Sequence, residues 1–97
     1  MLVFFGIGSI LISCQLAPAP IEEYSLARAA IEAARGAQAP RYSPGYWSKA
    51  EEFYRRGRAF YKEQDYPKAF NEFVKAREQA ESAENSARLL RQQNGEI

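Results

Sequence analysis

Apolar residues recur every three or four positions between Tyr66 and Leu90. This spacing places side chains on one face of an α-helix. The stripe consists of Tyr66, Ala69, Phe73, Ala76, Ala80, Ala83, Ala87 and Leu90. Its first half is aromatic and its second half almost entirely alanine, so we expect bulky neighbours first and a closely approaching backbone afterwards. The pattern predicts a long C-terminal helix from about Pro67 to Gln93.

Two earlier segments show the same helical periodicity. The first runs from Ile21 to about Gln38 and is rich in strong helix formers. The second runs from about Pro44 to Gln64 and carries a broad aromatic face. Both are therefore predicted to be amphipathic helices. Their inward positions are Tyr24, Ala27, Ile31 and Ala34 in the first, and Trp47, Ala50, Tyr54, Gly57 and Tyr61 in the second, with Tyr46, Phe53 and Phe60 alongside.

Helix-breaking residues separate the three segments. Two glycines and two prolines between Gly36 and Gly45 predict a loop, and a second break is predicted around Asp65. Ser43 and Asp65 stand where N-terminal capping residues are expected. We therefore predict an all-α domain over residues 21–93, built as a small up-down-up three-helix bundle with a long C-terminal helix.

The alanine half of the last helix has two possible environments. In an up-down-up bundle the last helix lies parallel to the first, and its alanines can pack there. The expected pairs join Ala80, Ala83, Ala87 and Leu90 to Ile31, Ala27 and Tyr24. Alternatively, this half projects beyond the bundle and offers an alanine-lined seam to a partner helix. Internal packing is the simpler interpretation.

An apolar stretch opens the chain. Residues 2–12 are interrupted only by two glycines and a serine, and no charged side chain occurs before Glu22. Such a segment has the length of a signal peptide and is too short to cross the ~30 Å hydrocarbon core of a bilayer. It ends in Leu11-Ile12-Ser13-Cys14, which resembles the lipobox of bacterial lipoproteins. The resemblance implies that residues 1–13 are removed and that Cys14 is lipidated.

The residues after Cys14 predict how the domain is attached. Residues 14–20 contain Pro18 and Pro20 and are expected to form an extended tether. By resemblance to proteobacterial lipoproteins, Gln15 after the cysteine favours the outer membrane, facing the periplasm. The alternative interpretation of the apolar N-terminal stretch is an uncleaved helix in which Cys14 is an incidental free cysteine. Residues 94–97 are expected to be a short tail.

Composition argues against most enzyme classes. The chain has 97 residues, a formal charge of +1 at pH 7, no histidine and one cysteine. It therefore lacks the commonest general base, and a single cysteine cannot form an internal disulfide or a thiolate cluster. We identify no paired carboxylates, phosphate-binding glycine loop or nucleophile with a histidine base. We expect no catalytic site, metal, cofactor or small-molecule substrate, and the balanced charge does not indicate nucleic-acid binding.

A basic group in the second helix is the first candidate for partner binding. It consists of Arg55, Arg56 and Arg58, with Tyr54 and Tyr61 nearby. Such a group can bind phosphate, lipid headgroups or an acidic protein loop. Three glutamates lie at distances in the sequence that allow them to neutralise these cations, namely Glu51, Glu52 and Glu63. A solvated helix face is therefore the simpler interpretation of this group.

A second candidate group lies close to the first interhelix loop. Tyr42, Tyr46 and Trp47 are the aromatic residues concerned. Aromatic residues anchor protein interfaces when they are exposed, whereas burial would make them part of the core. Burial is the simpler interpretation. Together with Arg55 and Arg58, these three residues are the candidate partner-binding set.

The second and third helices resemble a tetratricopeptide repeat hairpin. The matching residues are Ala50, Phe53, Gly57, Phe60, Tyr66, Ala69, Phe73 and Ala76. In this resemblance, Gly57 and Ala69 allow the helices to approach, and Phe60 and Phe73 fill the space between them. The closing proline of the repeat is replaced by Glu81, and only one copy is present.

A second resemblance covers roughly residues 21–90. It combines an alanine-rich helix ending in Ala33-Ala34-Arg35-Gly36-Ala37, a Tyr42-Ser43-Pro44 restart and an Asp65-Tyr66 turn. These motifs resemble the DUF4398 family, which occurs in bacterial envelope lipoproteins and near OmpA-like proteins. The expected function is therefore that of a membrane-anchored, non-enzymatic interaction or assembly module with an envelope protein partner. The alternative is a self-associating structural protein of the envelope.

Overall fold

The computed structural model describes residues 17–95. Within that range the chain is all-α and contains no strand. The four helices are α1 (Ile21–Gly36), α2 (Ala39–Tyr42), α3 (Pro44–Lys62) and α4 (Tyr66–Gln93). The predicted signal peptide, Cys14, the first residues of the tether and the end of the tail lie outside the described residues. Residues 17–20, the described part of the tether, are not helical.

The three long helices form an up-down-up bundle, as predicted. Along α1, Ala27 shares a buried cluster with Phe73, whereas Ala34, further along, shares one with Ala87. Residue numbers therefore increase in the same direction along the two helices, so α1 and α4 are parallel. Along α3 the order is reversed, because Gly57 lies against Phe73 and Ala50 clusters with Ala80. The helices α3 and α4 are therefore antiparallel.

The core face of α4 is the stripe that the periodicity predicted. Its six central members are fully buried, namely Ala69, Phe73, Ala76, Ala80, Ala83 and Ala87. The prediction that the alanine half packs internally is thus confirmed. Leu90 was wrongly included in the buried face, because it is 36% exposed at the end of the bundle.

The expected packing of Ala80 with Ile31 is confirmed, but the partners of Ala83 and Ala87 differ from those expected. Ala83 and Ala87 pack with Ala34, Ala37 and Ala39, and not with Ala27 and Tyr24. Because α1 and α4 are parallel, Tyr24 near the start of α1 meets Phe73 near the start of α4, with ring centroids 4.4 Å apart. Alanine against alanine lets the helix backbones approach closely at the other end.

The segment between α1 and α3 was predicted to be a loop but contains α2. Gln38 adopts a left-handed conformation, with φ of 65°, which ends α1 at Gly36 and precedes the new turn. Pro40 lies in the first turn of α2, where its missing N–H is not needed. Ala37 and Ala39 are buried and attach this short helix to the core. Gln64, with φ of 63°, similarly follows the end of α3 at Lys62.

The two predicted capping side chains do not cap. Ser43 and Asp65 occupy the N-cap positions of α3 and α4, but neither side chain forms a capping hydrogen bond. The Asp65 carboxylate instead lies 3.6 Å from the Lys68 ammonium. Each helix starts with a proline in its first turn, as the sequence indicated. The preset φ of proline is consistent with initiation at these positions.

Candidate functional site

A groove runs between α1 and α3 on the surface of the bundle. Both helices pack against α4 much more extensively than against each other. The space left between them has a volume of about 260 Å³. We call it the arginine groove, after the four arginines among its lining residues: Arg28, Ile31, Glu32, Arg35, Glu51, Tyr54, Arg55 and Arg58.

Positive charge in the arginine groove is only partly neutralised. Arg35 donates a hydrogen bond to Glu32 over 2.6 Å, and this bond raises the pKa of Arg35. Within residues 17–95, the other three arginines, Arg28, Arg55 and Arg58, form no ion pair with a carboxylate. The groove therefore has two more positive than negative side chains, although the chain as a whole has a charge of +1.

The prediction that nearby glutamates neutralise the basic group is thus wrong for Arg55 and Arg58. Arg56 is paired with Glu52 over 2.6 Å and lies 3.9 Å from Glu72 on α4. Arg55 and Arg58 lie on another side of α3, facing α1. The one negatively charged residue of α3 that lines the groove with them is Glu51. It forms no ion pair within the described range. Arg56 therefore lies on a different side of α3 from the two predicted site residues, Arg55 and Arg58.

The floor of the arginine groove is formed by larger side chains. Ile31 is only 5% exposed, and Tyr54 is partly buried. The Arg58 guanidinium lies 5.8 Å from the centroid of the Tyr54 ring, within the range of a cation–π interaction. Burial is the main cause of the raised pKa of Tyr54, and the neighbouring Tyr24 raises it further. The nearby Arg28 and Arg58 oppose this increase. The groove therefore combines an apolar floor with a cationic rim.

The raised pKa of Tyr54 predicts a loss of stability at high pH. Tyrosine in the unfolded chain loses its proton near pH 10. Because Tyr54 holds its proton more tightly in the folded state, the free energy of unfolding should fall as pH rises through and above that value. We expect a shallower decrease for Tyr54→Phe, measured by urea denaturation between pH 8 and about 11. Parallel pH dependences in the two proteins would contradict this assignment.

The predicted aromatic group is divided by the structure. Trp47 is half-buried and packs against two core clusters, and the Arg35 guanidinium lies 5.3 Å from its ring centroid. It therefore adjoins the arginine groove. Tyr46 is 45% exposed. Tyr42 packs on the alanine cluster, and its hydroxyl is buried without a hydrogen-bond partner in the described part of the chain. Tyr42 and Trp47 are thus both partly buried against the core, and of the three residues only Tyr46 is exposed.

Two groove residues were missed at the sequence level. Arg28 and Arg35 are seven positions apart in α1, about two helical turns, so they lie on the same side. This spacing was a usable signal for a basic stripe. It did not show that the stripe faces Arg55 and Arg58, because that pairing depends on how α1 and α3 are rotated on α4.

A second groove, between α1 and α4, has the opposite charge. It has a volume of about 370 Å³ and is lined by Glu22, Glu23, Leu26, Phe73, Val74, Arg77, Glu78 and Glu81. The Arg77 Nε atom is paired with Glu81 over 2.9 Å. We call this the acidic groove. The two sides of α1 therefore border surfaces of opposite sign.

Neither groove contains a recognisable metal site. In residues 17–95 there is no group of three or more Cys, His, Asp or Glu side chains placed to hold a metal ion. The same part of the chain has no helix with the length and apolar character needed to span a membrane.

The fold and its surface define the class of this protein. It is a small all-α helical bundle with two grooves of opposite charge beside α1. The family model for the Domain of unknown function (DUF4398) matches residues 22–96, and the chain belongs to this family. The resemblance noted over residues 21–90 is thereby confirmed. Comparisons with curated proteins and with solved structures gave no match.

Proposed function

We propose that this protein is a membrane-anchored lipoprotein that acts as a non-enzymatic protein-interaction or assembly module in the bacterial cell envelope. The observation that carries the interaction role is the arginine groove, in which three guanidinium groups that form no ion pair within residues 17–95 surround a partly apolar floor next to Trp47. Exposed arginines and a large aromatic residue are the side chains most enriched at binding hot spots. The envelope location is supported by the lipobox resemblance around Cys14.

Anchoring by Cys14 has a direct physical basis. Each buried CH₂ group of an acyl chain contributes about 0.8 kcal/mol to membrane binding, so several chains hold a protein where one does not. The tether that follows would keep the bundle close to the membrane surface. By the same resemblance, Gln15 supports the outer membrane, with the domain facing the periplasm.

Cys14→Ala should abolish lipidation. We expect the parent chain to incorporate labelled palmitate in bacteria and to fractionate with membranes, and the variant to do neither. Cys14 is the only cysteine of the chain, so no second thiol can substitute. Gln15→Ala is the matched control and should keep its label. A parent chain that takes up no palmitate would overturn the anchoring proposal.

The interaction role is tested by crosslinking in the native envelope. The anchored parent chain should yield a discrete crosslinked species containing a second envelope protein. The Cys14→Ala form, which is not held at the membrane, should yield much less of it. If the parent chain gives no crosslinked species under conditions that capture a known envelope complex, a binding module is the wrong function.

One observation favours a second candidate function, self-association as a structural protein. The acidic groove and the arginine groove have opposite charge and lie on different sides of the same helix. Contacts between unlike surfaces of identical chains are heterologous and can propagate into open assemblies. Light scattering on the detergent-solubilised protein separates the two functions. A single-chain mass at low and high salt would exclude self-association.

A further inference from the structure

The three long helices of the described bundle leave room for a further long helix beside them. The helices α1 and α3 lie side by side on α4 with the arginine groove between them on the outside. At this level the core is narrow, because α3 and α4 contribute Ala50 and Ala80. The groove therefore has helical walls and a shallow floor, which is the shape that receives an amphipathic helix in helix-in-groove recognition.

The distribution of charge defines what such a helix must carry. Arg28 and Arg35 lie along one wall about 10 Å apart, and Arg55 and Arg58 lie along the other. Between them, Ile31 and Tyr54 form the floor. A complementary helix has an apolar stripe for the floor and carboxylates on both edges for the guanidinium groups.

We infer that the arginine groove binds an acidic amphipathic helix of a partner protein. This inference rests on the proposed function and specifies the chemistry of the partner. Electrostatic complementarity is the argument for this occupant. The four cations are spread along both walls, whereas a single lipid phosphate would engage only one end. Glu51, which forms no ion pair within residues 17–95, would repel a uniformly anionic membrane but can pair with a basic residue of a helix.

A designed peptide provides the probe. It has about 14 residues, long enough for roughly four turns, with leucines at helical spacing and glutamates on both edges of the leucine stripe. The matched peptide has lysine in place of every glutamate. Binding to the lipidated full chain in nonionic detergent is measured by the anisotropy of labelled peptide. The emission of Trp47, the only tryptophan, gives an independent signal beside the groove.

Charge reversal at the groove should remove the interaction. For Arg55→Glu/Arg58→Glu we expect affinity for the acidic peptide to fall at least ~10-fold. The control is Lys49→Glu/Lys75→Glu, which changes the net charge equally. Lys49 precedes Arg58 by about two and a half turns and so lies on the opposite side of α3. The Lys75 ammonium lies over the Phe53 ring, just as the Arg58 guanidinium lies over the Tyr54 ring. Each double variant therefore loses one cation–π contact. The control should retain affinity within about twofold.

Several results would overturn the inference. Equal binding of the acidic and basic peptides, or equal loss in both variants, would exclude specific recognition by the groove. Groove-dependent binding to phosphatidylglycerol vesicles that displaces the peptide would assign the site to lipid. A dimer dissociated by Arg55→Glu/Arg58→Glu would assign it to a second copy. Circular dichroism verifies folding, and Arg55→Gln/Arg58→Gln, with the same expected direction, replaces any variant that unfolds.

Failure of this inference is distinguishable from failure of the proposed function. If palmitate labelling and envelope crosslinking persist while the acidic peptide does not bind, the protein remains an anchored interaction module that uses another surface. If crosslinking is also absent, the interaction role itself is wrong.

Discussion

Replacing Phe73 by alanine is expected to lower the free energy of unfolding by about 3–5 kcal/mol. Phe73 is the largest fully buried side chain in the described part of the molecule. Its ring stacks on Tyr24 at 4.4 Å and lies within 6.4 Å of the rings of Tyr54 and Tyr61. One side chain therefore joins α1, α3 and α4, and its removal leaves a cavity at the point where all three meet.

The measurement is urea denaturation followed by circular dichroism at 222 nm. Phe70→Ala is the matched control, because Phe70 lies in the same helix but is 43% exposed. It should cost less than about 1 kcal/mol. In a bundle of this size the Phe73 variant is expected to be largely unfolded at 37 °C. Similar losses in the two variants would mean that Phe73 is not the centre of the core.

Gly57→Ala is expected to destabilise the bundle although alanine is the better helix former. In an open helix this exchange would stabilise by about 1 kcal/mol. Here the added Cβ would lie 2.6 Å from Cε1 and 2.7 Å from Cδ1 of Phe73. The Phe73 ring is fully buried and packs against the rings of Tyr24, Tyr54 and Tyr61, so a shift away from the added methyl group would disturb those contacts. Overpacking of this kind costs about 1–3 kcal/mol, which exceeds the gain in helix propensity.

Gly45→Ala provides the contrast within the same helix. No atom lies within 4 Å of the position that its Cβ would occupy. We expect it to leave the free energy of unfolding unchanged or to raise it by up to about 1 kcal/mol. Adding Phe73→Leu should reduce the penalty of Gly57→Ala, since the smaller side chain relieves the contact. If Gly57→Ala and Gly45→Ala had equal effects, α3 and α4 would not be in the close contact described.

The same small residues that hold the core together also create the surface for binding. Ala50 and Ala80 bring α3 and α1 down onto α4, and little side-chain volume remains to fill the space between α1 and α3. The arginines at this edge are therefore left around a groove. The stability of the bundle and the shape of its candidate site have a common origin in the alanine-rich stripe of α4.

Local features were the hardest to predict. The helix α2 was not expected, because its four residues stand among glycines and prolines, and tertiary packing of Ala37 and Ala39 stabilises it. The two capping predictions were wrong, since side-chain oxygens at N-caps compete with other partners such as Lys68 for Asp65. Leu90 fits the stripe, but the bundle has already ended beside it.

Periodicity in the amino-acid sequence was sufficient for the three long helices, their order and the buried face of α4. These features depend on spacing along one helix or on a hairpin of neighbours, where geometry follows directly from the chain. Which arginines share a groove was decided only by the tertiary structure. Arg28 and Arg35 meet Arg55 and Arg58 because packing on α4 sets the rotation of α1 and α3, and no local pattern specifies that rotation.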